Sequence, residues 1–151
     1  MAQRCMILLN NQLKGLQMPR IYVAGGWFSN EQEIALSDVE EIIRESKNEA
    51  FMPRHMNLGS IGSNWVEVFN TNVNEIRKCD IVVASTVGKD MGTLWECGYA
   101  YALDKKIVYY TPGIDKPNLM LGFSGIICRD RYELYDYIIR GIEPQKGKDY
   151  E

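Results

Sequence analysis

Asp80-Ile-Val-Val-Ala-Ser-Thr-Val-Gly-Lys-Asp90-Met-Gly-Thr-Leu-Trp-Glu96-Cys-Gly-Tyr-Ala-Tyr-Ala102 decides the fold. It opens with Asp80–Ala84, a short and almost unbroken apolar run, the pattern of a strand covered on both faces. Loop 85–91 follows. From Leu94 to Leu103 every residue except Glu96 is apolar or small, which predicts a buried helix with no face made for water. An ionised carboxylate in such a helix is costly unless it pairs, takes a proton or does chemistry.

The same alternation extends in both directions. Upstream, Met18-Pro19 leads into the strand Arg20–Ala24, which ends at Gly25-Gly26. Ser29-Asn30 caps a helix to about Lys47, with Ile34, Val39, Ile42 and Ile43 as its apolar stripe. Ala50–Met52 is a second strand stopped by Pro53, and a loop rich in Gly, Ser and Asn covers 54–63. Trp65, Phe69, Val73 and Ile76 recur at helical spacing over 64–78. Downstream, Lys106–Tyr110 is the fourth strand, and a proline-bearing loop over 111–118 leads through Leu119-Met-Leu121 into the strand Gly125–Cys128. Asp130 caps a last helix to about Arg140. Apolar strands alternating with helices predict an α/β fold, a five-stranded parallel sheet of flavodoxin-like, doubly wound order. Ligands in such sheets sit beyond the carboxyl ends of the strands at the switch point, here Gly25–Phe28 and Ser85–Asp90.

A chain of 151 residues with 46% hydrophobic residues suits one domain, expected over 18–142. Residues 1–17 are polar and rich in Gln and Asn, an appendage or a mis-assigned start with Met18 as the true one. Residues 143–151 read as a polar tail. The net charge of −3 comes with scattered Lys and Arg, which argues against nucleic acid as a partner. Cys5, Cys79, Cys97 and Cys128 form no CxxC pair and read as reduced thiols. With His55 the only histidine and no ligand spacing, no metal is expected. No stretch has the length of a membrane span or a secretory core, so a cytoplasmic protein is expected.

Glu96 leads the candidate chemistry. If its helix starts near Gly92, the helix N-terminus favours the ionised form, and a desolvated carboxylate in a cleft makes a nucleophile toward an acetal-like carbon. Asp90 either binds a ligand hydroxyl or caps the helix. Gly25-Gly26 lacks GxGxxG spacing and reads as close backbone approach to a small ligand or as a simple turn. Trp27 and Phe28 stack on a flat base or serve the core. Tyr22, in a central strand, needs a partner for its hydroxyl if buried, either Glu96 or an ordinary cross-core group. Arg54 and His55 are weak ligand candidates, His55 being expected in solvent. Asn118 and Met120 read on their own as a helix cap and a core residue.

Together these segments resemble the nucleoside 2-deoxyribosyltransferase family over about Pro19 to Arg140. The resemblance rests on Ile21-Tyr-Val-Ala-Gly-Gly-Trp-Phe28, Asn70 through Asp80, Asp90 through Ala102, and Lys116-Pro-Asn-Leu-Met120. It implies an oligomer, often a hexamer built of dimers, with no metal or organic cofactor. Its substrates would be a deoxynucleoside and a free nucleobase. Glu96 would attack C1′ and hold the sugar as an ester, Tyr22 would orient it, and Asp90 would bind substrate. Asn118 and Met120 would reach a neighbouring subunit's site at the 5′ end of the sugar.

Where some relatives carry an aspartate serving the base, this chain has Asn72, which can hydrogen-bond a base edge but cannot deliver a proton. Two further readings compete with base exchange. A deoxynucleoside monophosphate N-glycosidase would use the same glutamate, with Ser85, Thr86 and Ser124 available to cradle phosphate. A non-enzymatic nucleotide-binding module would bind without turnover.

Overall fold

The computed structural model describes residues 18–56 and 64–151, so the expectations for 1–17 and for most of the 54–63 loop lie outside the described residues. Strands β1 (Ile21–Ala24), β2 (Ala50–Phe51), β3 (Ile81–Ser85), β4 (Lys106–Tyr110) and β5 (Ile126–Cys128) form one sheet in the order β2-β1-β3-β4-β5. Every pairing is parallel, as the unbroken apolar runs predict. The connecting helices are α1 (Asn30–Ser46), α2 (Trp65–Lys78), α3 (Met91–Ala102), α4 (Leu119–Ser124) and α5 (Arg131–Arg140). Single 3-10 turns stand at Pro53–His55 and Val87–Lys89.

The pleat sorts each strand between two cores. Ile21, Val23, Val83, Val108 and Tyr110 face α1 and α5, whereas Tyr22, Ala24, Val82, Ala84, Ile107 and Tyr109 face α2 and α3. Both layers are therefore apolar, and the flavodoxin-like arrangement follows.

Local chemistry sets the helix ends. Ser29 Oγ accepts from the Gln32 amide at 3.3 Å while Gln32 Oε1 accepts from the Ser29 amide at 3.1 Å. Such a capping box contributes about 1 kcal/mol. Lys47 closes α1 with a left-handed φ of 58°. Asp130 caps α5 as expected, and Gly141 ends it at φ 68°.

At the amino ends of the strands, Arg20 acts as a brace. Its amide donates to Asp80 Oδ2 at 2.9 Å, and its guanidinium donates to Glu75 Oε2 at 2.6 Å and also pairs with Glu49. One residue thereby ties β1 to the end of α2, the approach to β2 and the approach to β3.

Two expectations are corrected. Helix α3 is not buried all round: only Thr93, Cys97 and Ala100 are buried, while Met91, Trp95 and Tyr101 are exposed. The run after Pro117 is the short helix α4, and Leu119 and Met120 lie on its exposed side, outside the core. Both differences have one cause, an apolar surface that nothing among the described residues covers. His55 is exposed as expected, with Nε2 2.7 Å from Glu40 Oε2. Glu40, 1% exposed, also receives Arg54 Nη2 at 2.6 Å, so α1 holds the Pro53–His55 turn through a buried carboxylate. The polar tail is docked: the Glu151 amide donates to the Pro117 carbonyl at 3.0 Å, and Tyr150 packs on Phe123 with ring centroids 5.2 Å apart.

Candidate active site

Asp90 positions the glutamate. Its Oδ2 accepts from both the amide and the hydroxyl of Thr93, each at 2.8 Å, which starts α3 at Met91, one residue earlier than expected. Glu96 then falls in the second turn, on the side of α3 that faces β1 and α2. The capping reading of Asp90 holds, and Oδ1 takes no part in the cap.

Tyr22 is fully buried in the central strand β1, its ring stacked on Phe51 with centroids 5.6 Å apart. Burial, with Glu96 as the next contributor, drives its phenol far above the ordinary range, so it stays a proton donor at any physiological pH. Glu96 is pushed up from 4.5 to about 7, chiefly by burial; the Tyr22 hydroxyl opposes the rise and the Asp90 charge adds to it. The two side chains face one another closely enough to influence each other's protonation. Yet Glu96 Oε2 and the Tyr22 hydroxyl are both buried with no hydrogen bond closed to any described residue. Asn72 Oδ1, on the helix beside α3, is buried and unpartnered too. Buried polar atoms are normally satisfied. These three atoms come from β1, α2 and α3, which meet on one side of the sheet.

The glycines of the β1–α1 loop are explained by the protein's own packing. A Cβ on Gly25 would come within 2.7 Å of Leu36 Cδ1, and one on Gly26 within 2.6 Å of Gln32 Nε2. Trp27 and Phe28 stack on each other, centroids 5.5 Å apart and planes 24° apart, with Trp27 packed toward the α1 core and Phe28 76% exposed.

Asn118 and Met120 are not brought to Glu96. Asn118 Oδ1 accepts from the Met120 amide at 2.9 Å and caps α4. Both line an open, largely apolar cavity of about 880 Å³ on the far side of α3, with Leu94, Tyr101 and Phe123. Neither Glu96 nor Tyr22 lines that cavity. The hydroxyls considered for phosphate are engaged elsewhere: Ser124 Oγ lies 2.8 Å from the Tyr109 hydroxyl, Thr86 Oγ1 donates to the Tyr110 carbonyl at 3.4 Å, and Ser85 is buried in the sheet.

Sequence reasoning missed two features. Phe69, Trp95 and Tyr99 form an aromatic ladder between α2 and α3, with centroids 5.6 and 5.4 Å apart, ending where Arg77 Nε donates to the Tyr99 hydroxyl at 2.7 Å. Their spacing reads as core, and only the structure shows Phe69 and Trp95 half in solvent. Gln32 is the other; the Ser-x-x-Gln signature before α1 could have found it as a cap. Among the described residues no cluster of three or more His, Cys, Asp or Glu could hold a metal ion, and no helix is long and apolar enough to cross a membrane.

The family model described as nucleoside 2-deoxyribosyltransferase matches residues 21–128. No curated protein sequence matches the chain. Among solved structures, a 2-deoxyribosyltransferase from Bacillus psychrosaccharolyticus is 27% identical, with TM-score 0.72, covering 83% of this chain and 98% of that one. A 2-deoxyribosyltransferase of Leishmania mexicana is 26% identical, with TM-score 0.51 over 68% of this chain and 69% of its own. A CMP N-glycosidase of Clostridium botulinum shares the fold at 16% identity and TM-score 0.55, covering 79% of this chain and 97% of that one.

Proposed function

The chain belongs to the nucleoside 2-deoxyribosyltransferase family, and on that footing we propose that it exchanges the bases of 2′-deoxynucleosides through a deoxyribosyl ester of Glu96. The observation that carries this reading is Glu96 Oε2, buried, unpartnered and opposite the Tyr22 hydroxyl. In the first half-reaction the ionised carboxylate forms a bond to C1′ as the C1′–N bond breaks, and the base leaves with the bonding pair. A second base then attacks C1′, displaces Glu96 and restores the original configuration. A 2′-deoxy sugar lacks the electron-withdrawing 2′-hydroxyl, so positive charge develops at C1′ at lower cost and one carboxylate can stabilise it.

In this reading each remaining residue has a role. With substrate bound, Tyr22 closes a hydrogen bond to Glu96 and fixes which oxygen attacks. Asp90 offers its free oxygen to a sugar hydroxyl. Asn72 hydrogen-bonds the base edge without protonating it, so the departing base takes its proton from water. Phe28, with Trp27 beneath it and Gly25 holding the turn, walls the base. Asn118 and Met120 face away from their own Glu96, and in this reading they complete the site of a neighbouring copy in a homo-oligomer built of dimers. The engaged hydroxyls of Ser124 and Thr86 favour a nucleoside over a monophosphate.

The test is incubation with thymidine and adenine. Deoxyadenosine should form with the wild type, and Glu96→Ala should fold but form none. Free sugar without exchange, or deoxyribose 5-phosphate released from a monophosphate, would replace the transferase with the glycosidase. Binding without turnover would leave only a nucleotide-binding module.

A further inference from the structure

We propose that Gln32 is a positioning residue for the reaction: its side-chain amide clasps the loop after β1 to the loop after β3, which carries Asp90 to the start of α3. The inference rests on the Glu96 reading for its kinetic consequence, though not for its geometry. Gln32 stands in the first turn of α1, yet it is only 6% exposed. Its Oε1 accepts from the amides of Phe28 at 2.9 Å and Ser29 at 3.1 Å. Its Nε2 donates to the Val87 carbonyl, 55 residues along the chain, at 3.2 Å. Two donors on one side and a carbonyl on the other fix the orientation of the amide, because a flip would set like against like at all three contacts.

The loops are shaped around it. A side chain on Gly26 would meet the Gln32 amide, and so would one on Gly88, whose φ of 77° already disfavours any other residue. One loop carries Trp27 and Phe28. The other, through the turn Val87–Lys89, delivers Asp90 to the start of α3. Nothing in a helix cap requires the Val87 bond, since the capping box is complete with Oε1 alone. Nε2 therefore does something separate: it sets the gap between the base wall and the Asp90 loop before substrate arrives, and preorganisation of this kind appears in substrate affinity.

Glutamate at the same position separates the two roles, because it keeps the capping acceptor and loses the donor to Val87. For Gln32→Glu, KM for thymidine should rise about tenfold with kcat within about twofold, the scale of one lost hydrogen bond. Amide hydrogen exchange should quicken over 86–90 and stay slow at the start of α1. Ser29→Ala, which removes only the cap, should lower the melting temperature and leave KM unchanged. Gln32→Met fills the same space without either polar atom and should raise KM in the same way should the glutamate variant fail to fold. Wild-type KM with wild-type exchange over 86–90 in the Gln32 variants would overturn the clasp, as would an equal rise in KM for Ser29→Ala. Activity surviving in Glu96→Ala would instead overturn the catalytic reading, and the exchange measurement would still judge the clasp.

Discussion

Replacing Glu96 by glutamine tests the site through stability as well as activity. In the unfolded chain this carboxyl ionises near 4.5, whereas in the folded protein burial holds it protonated until about 7. A folded value above the unfolded one means the native state binds the proton more tightly. The associated stability is therefore complete below the lower value and lost as pH rises through the upper one. Moving a carboxyl from 4.5 to about 7 corresponds to about 3 kcal/mol, an upper figure because part of the side chain still meets solvent. Glutamine does not titrate and escapes this loss. Urea unfolding of both proteins from about pH 4 to pH 8 should show the wild type falling behind Glu96→Gln, most of the change lying between 4.5 and 7. In the same window, kcat/KM of the wild type should climb with pH and level off above about 7, because only the ionised form attacks. A stability difference that stays flat with pH would refute the desolvation argument. A glutamine variant that still exchanges bases would refute the chemistry.

Tyr22→Phe removes the hydroxyl that opposes the rise at Glu96, so the acid limb of the rate profile should move upward and activity at neutral pH should fall roughly tenfold; an unmoved limb in a pH–rate titration would count against their contact. Asn72→Asp sets a second buried carboxyl on the helix beside α3 and should alter the ranking of bases in a substrate panel, raising the acid limb by like-charge repulsion. An unchanged panel would remove Asn72 from the base subsite. Glu40→Ala strips Arg54 and His55 of a carboxylate that is 1% exposed, and should lower unfolding free energy by about 3 kcal/mol in urea titration. A loss below about 1 kcal/mol would class the cluster with surface pairs.

The strands were the most legible part of the chain. Asp80–Ala84 and Lys106–Tyr110 are apolar on both faces, and only a sheet covered by helices on two sides asks for that. Asp130 before α5 and Ser29 before α1 could be read because a cap is a local interaction, complete within four residues. Exposure was not legible. An apolar side chain carries the same signal whether its neighbour belongs to its own chain or to nothing yet present, so the outer surface of α3 and the pair Leu119 and Met120 read as core. Long-range polar contacts were equally silent: no spacing rule joins Glu40 to Arg54, or Gln32 to Val87, because those partners meet only once the loops have closed. Glu96 could be singled out as an anomaly and Tyr22 named as a partner for it, yet its unpartnered oxygen is a property of the folded state alone.

The brace at Arg20 has an implication for how such a protein changes. The loops proposed to handle substrate leave one rim of the sheet, while Arg20, through its amide and its guanidinium together, knots four segments at the opposite rim. Damage at Arg20 should cost folding yield and leave turnover per folded molecule intact. Variation among the loops should do the reverse. A lineage in which the two ends are insulated in this way can try out new specificities without repeatedly relearning how to fold.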